Sequence, residues 1–217
     1  MLELGVKFLL SYLIGSVMGS MVMGKLRGGV DIRTMGSGNA GGTNALRTQG
    51  WMFALGVVVI DVGKGALAAG LIPEIVLPAF GTDPEISRTW LALSCAAASV
   101  IGHVWPIWHN FRGGKGAATL IGTFLILEPE VIIPVVLMWA SILILFGFVG
   151  LATMIAALSA PIYLLVAPIE SDLPVFIYCA ALALYVVFTH RSNIRRMIDG
   201  TESRIPRLML FRRRSKL

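Results

Sequence analysis

The run WMFALGVVVIDVGKGALAAGLI, residues 51–72, decides the fold class. It is apolar throughout except for Asp61 and Lys64. It is also far longer than the roughly 9–11 residues of a membrane barrel strand. Lipid admits only helices or closed barrels, because nothing in the bilayer core satisfies stray backbone N–H and C=O groups. The run is therefore read as a membrane helix. Six further apolar runs follow the same logic, at 4–23, 90–106, 116–127, 131–147, 151–168 and 174–189. Several are shorter than the roughly 20 residues of a full crossing, so short or tilted helices and a partly re-entrant glycine-rich loop are expected. The chain is 56% hydrophobic and 14% charged over 217 residues, too much apolar surface for a soluble domain of that size to hide. These readings give an all-α integral membrane protein of about seven transmembrane helices. Residues 1–203 read as a single polytopic domain and 204–217 as a basic cytoplasmic tail.

Charge sets the expected orientation. With the N-terminus outside, Lys25, Arg27, Arg33, Arg47, Arg112, Lys115, Arg191, Arg195, Arg196 and the tail from Arg204 to Lys216 all fall inside. Arg88 is then the loop cation outside, among Glu74, Asp83, Glu85, Glu128, Glu130, Glu170 and Asp172. Cytoplasmic loops are enriched in Lys and Arg, so the C-terminus is placed in the cytoplasm. A single kinked element in place of the fifth and sixth runs, joined at the uncharged turn 146–150, would send the C-terminal arginines outside, and the same rule opposes it. The net charge of +6 reflects loops facing anionic lipid, not nucleic acid. Trp51, Trp90, Trp105 and Trp108 fall near run ends, as interfacial anchors do. Cys95 and Cys179 lie in apolar runs and read as small hydrophobes without a disulfide, and the first run reads as a retained helix.

Three polar segments interrupt the apolar chain, all on the expected cytoplasmic side. The first runs from Gly36 through Ser37, Gly38, Asn39, Gly41, Gly42, Thr43 and Asn44 to Arg47. The second is Phe111-Arg112-Gly113-Gly114-Lys115-Gly116, and the third is His190-Arg191-Ser192-Asn193-Ile194-Arg195-Arg196. Glycine lets backbone approach closely, successive N–H groups form an anion-binding concavity, and Lys or Arg neutralises charge. A helix starting near Asn44 would add its positive end and put Asn44 and Arg47 on one face. The second segment departs from a nucleotide P-loop, since Gly116 stands where Ser or Thr would follow the lysine. His190 and Asn193 share a helical face beside arginines, whereas His103 and His109 flank Trp105 and Trp108 and read as interface residues. Asp61 and Lys64, three apart in the membrane, read as a structural ion pair that could support the site. No Cys and His spacing suggests a metal.

These segments resemble the bacterial membrane acyltransferases of the PlsY type over nearly the whole chain. The pattern G-S-G-N-x-G-x-T-N-x-x-R is met by Gly36 to Arg47, and F-[KR]-G-G-K-G-x-A-T by Phe111 to Thr119, preceded by Gly102, His103 and Pro106. H-R-x-N-I-x-R is met by His190 to Arg196, with Gly200 and Glu202 following. Where the family often has V-S-L-A-S, this chain has Val149-Gly150-Leu151-Ala152-Thr153, losing the first hydroxyl and the preceding cations. The resemblance implies transfer of a fatty acyl group from acyl-phosphate to the 1-hydroxyl of glycerol 3-phosphate. The products would be lysophosphatidic acid and phosphate, as the first acylation of bacterial phospholipid synthesis. It also implies residence in the cytoplasmic (inner) membrane with the active site facing the cytoplasm. Membrane lipid would be the surroundings, a separate phosphate acyltransferase would supply the long-chain acyl-phosphate, and no cofactor or metal would be needed. By the same resemblance Ser37, Arg47, Lys115 and His190 would be catalytic. Gly36, Gly38, Asn39, Thr43, Asn44, Gly113, Gly114, Gly116, Thr153 and Asn193 would bind substrate or phosphate.

An acyl-phosphate is already activated, so direct attack by the hydroxyl is expected, with a covalent Ser37 intermediate not required and the proton passing to His190 or to a substrate phosphate oxygen. A thioester acyltransferase of the H-x-x-x-x-D kind needs Asp five residues after a histidine, where this chain has Trp108, Gly114 and Arg195. A transporter of phosphorylated solutes would want charges or broken helices deep in the membrane, and Asp61 and Lys64 are the mid-membrane charges here.

Overall fold

The computed structural model describes residues 1–79, 81–167, 172–206 and 209–210, and every regular element among them is helical. The α-helices in chain order are α1 (Leu2–Gly15), α2 (Gly19–Leu26), α3 (Gly42–Gln49), α4 (Trp51–Gly70), α5 (Arg88–Val104), α6 (Ala117–Leu127), α7 (Ile132–Phe146), α8 (Val149–Val166), α9 (Leu173–Thr189) and α10 (Arg191–Ile198). Four stretches are long and apolar enough to cross a membrane: Trp51–Glu74, Arg88–His109, Pro129–Phe146 and Val149–Val166. The count reaches six if α1 with α2, bent by 43°, and α9 with α10, bent by 51°, each make one span, and α6 is a shorter apolar helix. All seven apolar runs are thus helical where they are described. The run 4–23 differs from the sequence reading in being broken at residues 16–18.

The chain divides into two compact units, Met1–Pro129 and Glu130–Leu217, where the sequence suggests one domain to residue 203. In the first unit α4 packs against α2, α3, α5 and α6, and α1 packs against α5. Close approach is what its small residues permit. A Cβ on Gly65 of α4 would overlap the Thr119 carbonyl oxygen, and one on Gly122 of α6 would overlap that of Val62. Helices in lipid gain association from such contacts, since the tails around them are as apolar as they are. The break between α1 and α2 lets α1 lie on α5, with Gly15 against the Ser99 backbone, while α2 lies on α4, with Gly19 against the Val57 backbone.

The two ends of this unit differ in chemistry. At one end Glu3 is buried and accepts from Lys7 at 2.8 Å, Arg88 at 2.6 Å and the Asp83 N–H at 2.8 Å. Asp83 in turn takes the Leu4 N–H and the Met1 ammonium group. The chain order through α1, α2, α4 and α5 places the loops bearing Arg33, Arg47, Arg112 and Lys115 at the opposite end.

In the second unit α8 packs against α7 and α9, and α10 folds back on α8 and α9. The fifth and sixth runs are two helices, joined at Gly147 in a left-handed conformation (φ 75°) that only glycine adopts at little cost. The start of the tail lies on this turn: Ile205 N–H donates to Gly147 O at 2.9 Å, and the Arg204 guanidinium sits 4.6 Å over the Phe148 ring. Glu170 and residues 207, 208 and 211–217 lie outside the described residues.

Candidate active site

The loop between α2 and α3 is shaped by one buried amide. Asn44 Oδ1 accepts from the Ser37 N–H at 3.0 Å, and its Nδ2 lies within 3.0 Å of the carbonyls of Ile32, Met35 and Asn39. Gly36 passes so close to that side chain that a Cβ would overlap Asn44 Oδ1. Asn44, expected among the binding residues, is therefore engaged in folding the loop. It is buried while Arg47, three residues on in the same helix, is exposed. The Gly38 N–H is also taken, by Met35 O at 3.0 Å. The first helical bond of α3 runs from Ala45 N–H to Gly41 O. The N–H groups of Gly42, Thr43 and Asn44 precede it, at the positive end of a helix with no side-chain cap. Ser37, Thr43 and Arg47 are exposed beside Asn39, which is half-buried.

The second loop folds back on the end of α5. Gly113 N–H donates to Val104 O and Gly114 N–H to His103 O, both at 3.1 Å. These two amides, expected as an open phosphate cradle, are occupied by the chain's own carbonyls. Their glycine identity answers packing instead: a Cβ on Gly113 would overlap His103 O, and one on Gly114 would overlap His103 Nε2. Lys115 follows, half-buried, and Gly116 (φ 89°) turns the chain into α6.

Arg33 joins the two loops. Its Nη1 donates to His109 O at 3.3 Å and to Arg112 O at 3.2 Å, while Nε and Nη2 grip the Asp31 carboxylate at 3.0 and 2.7 Å. The Arg33 guanidinium holds the Asp31 carboxyl below its ordinary range. In the sequence Arg33 is one loop cation among several, and Asp31 belongs to no motif. The available signal was an Asp-x-Arg placed just before the glycine run.

Beneath the second loop lies a buried trio. Lys64 Nζ is 2.9 Å from Asp61 Oδ1, 2.7 Å from Val17 O and 2.9 Å from His103 Nδ1, and Asp61 Oδ1 also accepts from the Gly19 N–H at 3.1 Å. Asp61 and Lys64 thus satisfy backbone groups freed where α1 breaks from α2, in surroundings where water cannot. The expected ion pair is present, and it includes His103, which the sequence assigned to the interface.

In the second unit the α9–α10 corner carries the third segment. His190 Nδ1 lies 2.8 Å from Val186 O. A carbonyl only accepts, so Nδ1 bears the hydrogen and Nε2 carries the lone pair in the neutral ring. Asn193 Nδ2 donates to Glu202 Oε1 at 2.7 Å, and Arg196 Nε donates to Glu202 Oε2 at 2.6 Å. Glu202 therefore orients Asn193. Gly150 makes room for it, since a Cβ there would stand 2.7 Å from Asn193 Nδ2. Thr153, carried over as a substrate contact, donates its hydroxyl hydrogen to Val149 O at 2.8 Å and accepts from Trp139 Nε1 at 3.3 Å. Its hydroxyl thus ties α8 to the Trp139 side chain of α7. Among the described residues no group of three or more His, Cys, Asp and Glu could hold a metal ion.

Comparison with known proteins gives the family. The glycerol-3-phosphate acyltransferase family description matches residues 6–200. A glycerol-3-phosphate acyltransferase of Rhodospirillum rubrum is 40% identical over 94% of this chain and 92% of its own length. One from Pelodictyon phaeoclathratiforme is 36% identical over 90% of this chain and 93% of its own. Among solved structures, PlsY, an integral membrane glycerol 3-phosphate acyltransferase in its glycerol 3-phosphate form, superposes with a TM-score of 0.79 at 33% identity, covering 93% of this chain and 95% of that one. Its lysophosphatidic acid form gives a TM-score of 0.77 at 32% identity. The chain belongs to the glycerol-3-phosphate acyltransferase family, the integral membrane acyltransferases of which PlsY is one.

Proposed function

We propose that the protein transfers a fatty acyl group from a long-chain acyl-phosphate to the 1-hydroxyl of glycerol 3-phosphate, at the cytoplasmic face of a bacterial inner membrane. The observation that carries this reading is the Arg33 bridge. It sets two loops side by side, one offering the start of α3 with Arg47, the other Lys115. Two phosphate-bearing reactants call for cations and N–H donors in that number. Asp61 and Lys64 would also suit a transporter, but they are engaged with each other, His103 and the α1–α2 break.

In the reaction, the hydroxyl oxygen bonds to the acyl carbon, the carbon–oxygen bond to phosphate breaks, and inorganic phosphate leaves. The hydroxyl proton passes to a base. His190, with its lone pair on Nε2, and a substrate phosphate oxygen both have that chemistry, and turnover by His190→Gln separates them. Holding the reactants in line and stabilising charge on the carbonyl and the phosphate supplies the acceleration. Lys115, Arg47 and Ser37 are assigned to that task. A separate phosphate acyltransferase would supply the donor.

The test uses purified protein in detergent with glycerol 3-phosphate and either palmitoyl-phosphate or palmitoyl-CoA, following lysophosphatidic acid and phosphate. Product from the acyl-phosphate alone supports the reading. Product from the thioester alone overturns the donor, and no product from folded protein overturns the reaction.

A further inference from the structure

We propose that Lys64 is a positioning residue for Lys115, acting by holding the His103 ring in one tautomer and one orientation against Gly114. The inference rests on the reading above, in which Lys115 serves the transferring phosphate.

A lysine ammonium group has three hydrogens, and Lys64 Nζ has three acceptors within reach: Val17 O, Asp61 Oδ1 and His103 Nδ1, at 2.7, 2.9 and 2.9 Å. His103 Nδ1 lies 2.9 Å from the ammonium nitrogen and a longer 3.4 Å from Asp61 Oδ1; an ammonium group only donates, so the shorter contact makes Nδ1 the acceptor and puts the ring hydrogen on Nε2. Nε2 is the atom that a Cβ on Gly114 would overlap, so the loop lies directly on that edge of the ring. The same residue's carbonyl takes the Gly114 N–H, and the next carbonyl takes that of Gly113. The backbone leading into Lys115 is therefore seated on His103 by two amides and a ring edge. All three members of the trio are buried, so water does not compete for the ring's orientation.

A purely structural role is the alternative, because Asp61 and Lys64 also satisfy Val17 O and the Gly19 N–H at the helix break. His103→Phe separates the two. It keeps a ring in the space and leaves the break satisfied, but offers Lys64 no acceptor. The expected result is a protein that still folds, with a melting temperature lowered by the unpaired Lys64 hydrogen, and a kcat lower by about 100-fold, the scale of loss that follows a small misplacement of a reacting group. A folded His103→Phe protein with near-normal kcat overturns the proposal. The second readout is the histidine ring 15N spectrum of the full-length protein, which has three histidines to resolve, with His103 identified by its loss in the variant. The wild type should show His103 with hydrogen on Nε2. Hydrogen on Nδ1 overturns the proposal. Should His103→Phe not fold, the His103 signal is identified in the wild type as the one that persists in both His109→Gln and His190→Gln, and hydrogen on Nδ1 of that ring overturns the proposal. Failure of the wild type to use acyl-phosphate overturns the proposed function alone, because the spectra do not depend on turnover.

Discussion

Arg33 is the residue whose role exceeds its motif. Its planar fork grips Asp31 while Nη1 reaches two carbonyls of the Lys115 loop, a geometry that lysine cannot reproduce. Arg33→Ala should lower kcat/KM by about 10- to 100-fold, and Arg33→Lys should not restore it, as measured by lysophosphatidic acid formation. Lys115→Ala and Arg47→Ala should cut turnover at least as steeply while the protein still inserts, and near-normal turnover by both would sink the site assignment.

At the level of elements, the decisive contact is the one between α4 and α6. α6 is short, and its hold on α4 depends on backbone meeting backbone at Gly65 and Gly122. Gly122→Val would drive a side chain into the Val62 carbonyl and the Ala66 amide, neither of which can swing aside. The expected cost is about 1–3 kcal/mol, read as a lower melting temperature, together with lost activity because α6 begins directly after Lys115 and Gly116. A variant as stable and active as wild type would show that the helices can part without consequence. The broken run at residues 16–18 carries a second lesson. Its hydropathy is continuous, and only the partners Lys64 and Asp61 make the break affordable in lipid.

For the molecule as a whole, the asymmetry between ends predicts orientation. Single cysteines at the exposed positions Thr34 and Glu85, in a background lacking Cys95 and Cys179, should respond oppositely to a membrane-impermeant thiol reagent in intact cells. Glu85→Cys should label and Thr34→Cys should not until the membrane is opened, and the reverse pattern would place the glycine loops outside.

Residue order alone determined that the chain is helical and membrane-embedded, that its cations gather between particular runs, and that three motifs carry its resemblance. Hydropathy and motif spacing are properties of neighbouring residues, so they are legible in one dimension. Only the tertiary structure decided which partners the motif residues have. The Gly113 and Gly114 N–H groups meet carbonyls at the end of α5, and the Asn44 amide meets the carbonyls of its own loop. Arg33 reaches a backbone 79 positions away, and Lys64 meets a ring 39 positions away. A hydrogen bond depends on a partner within about 3 Å, and chain order does not say which distant segment will arrive at that distance.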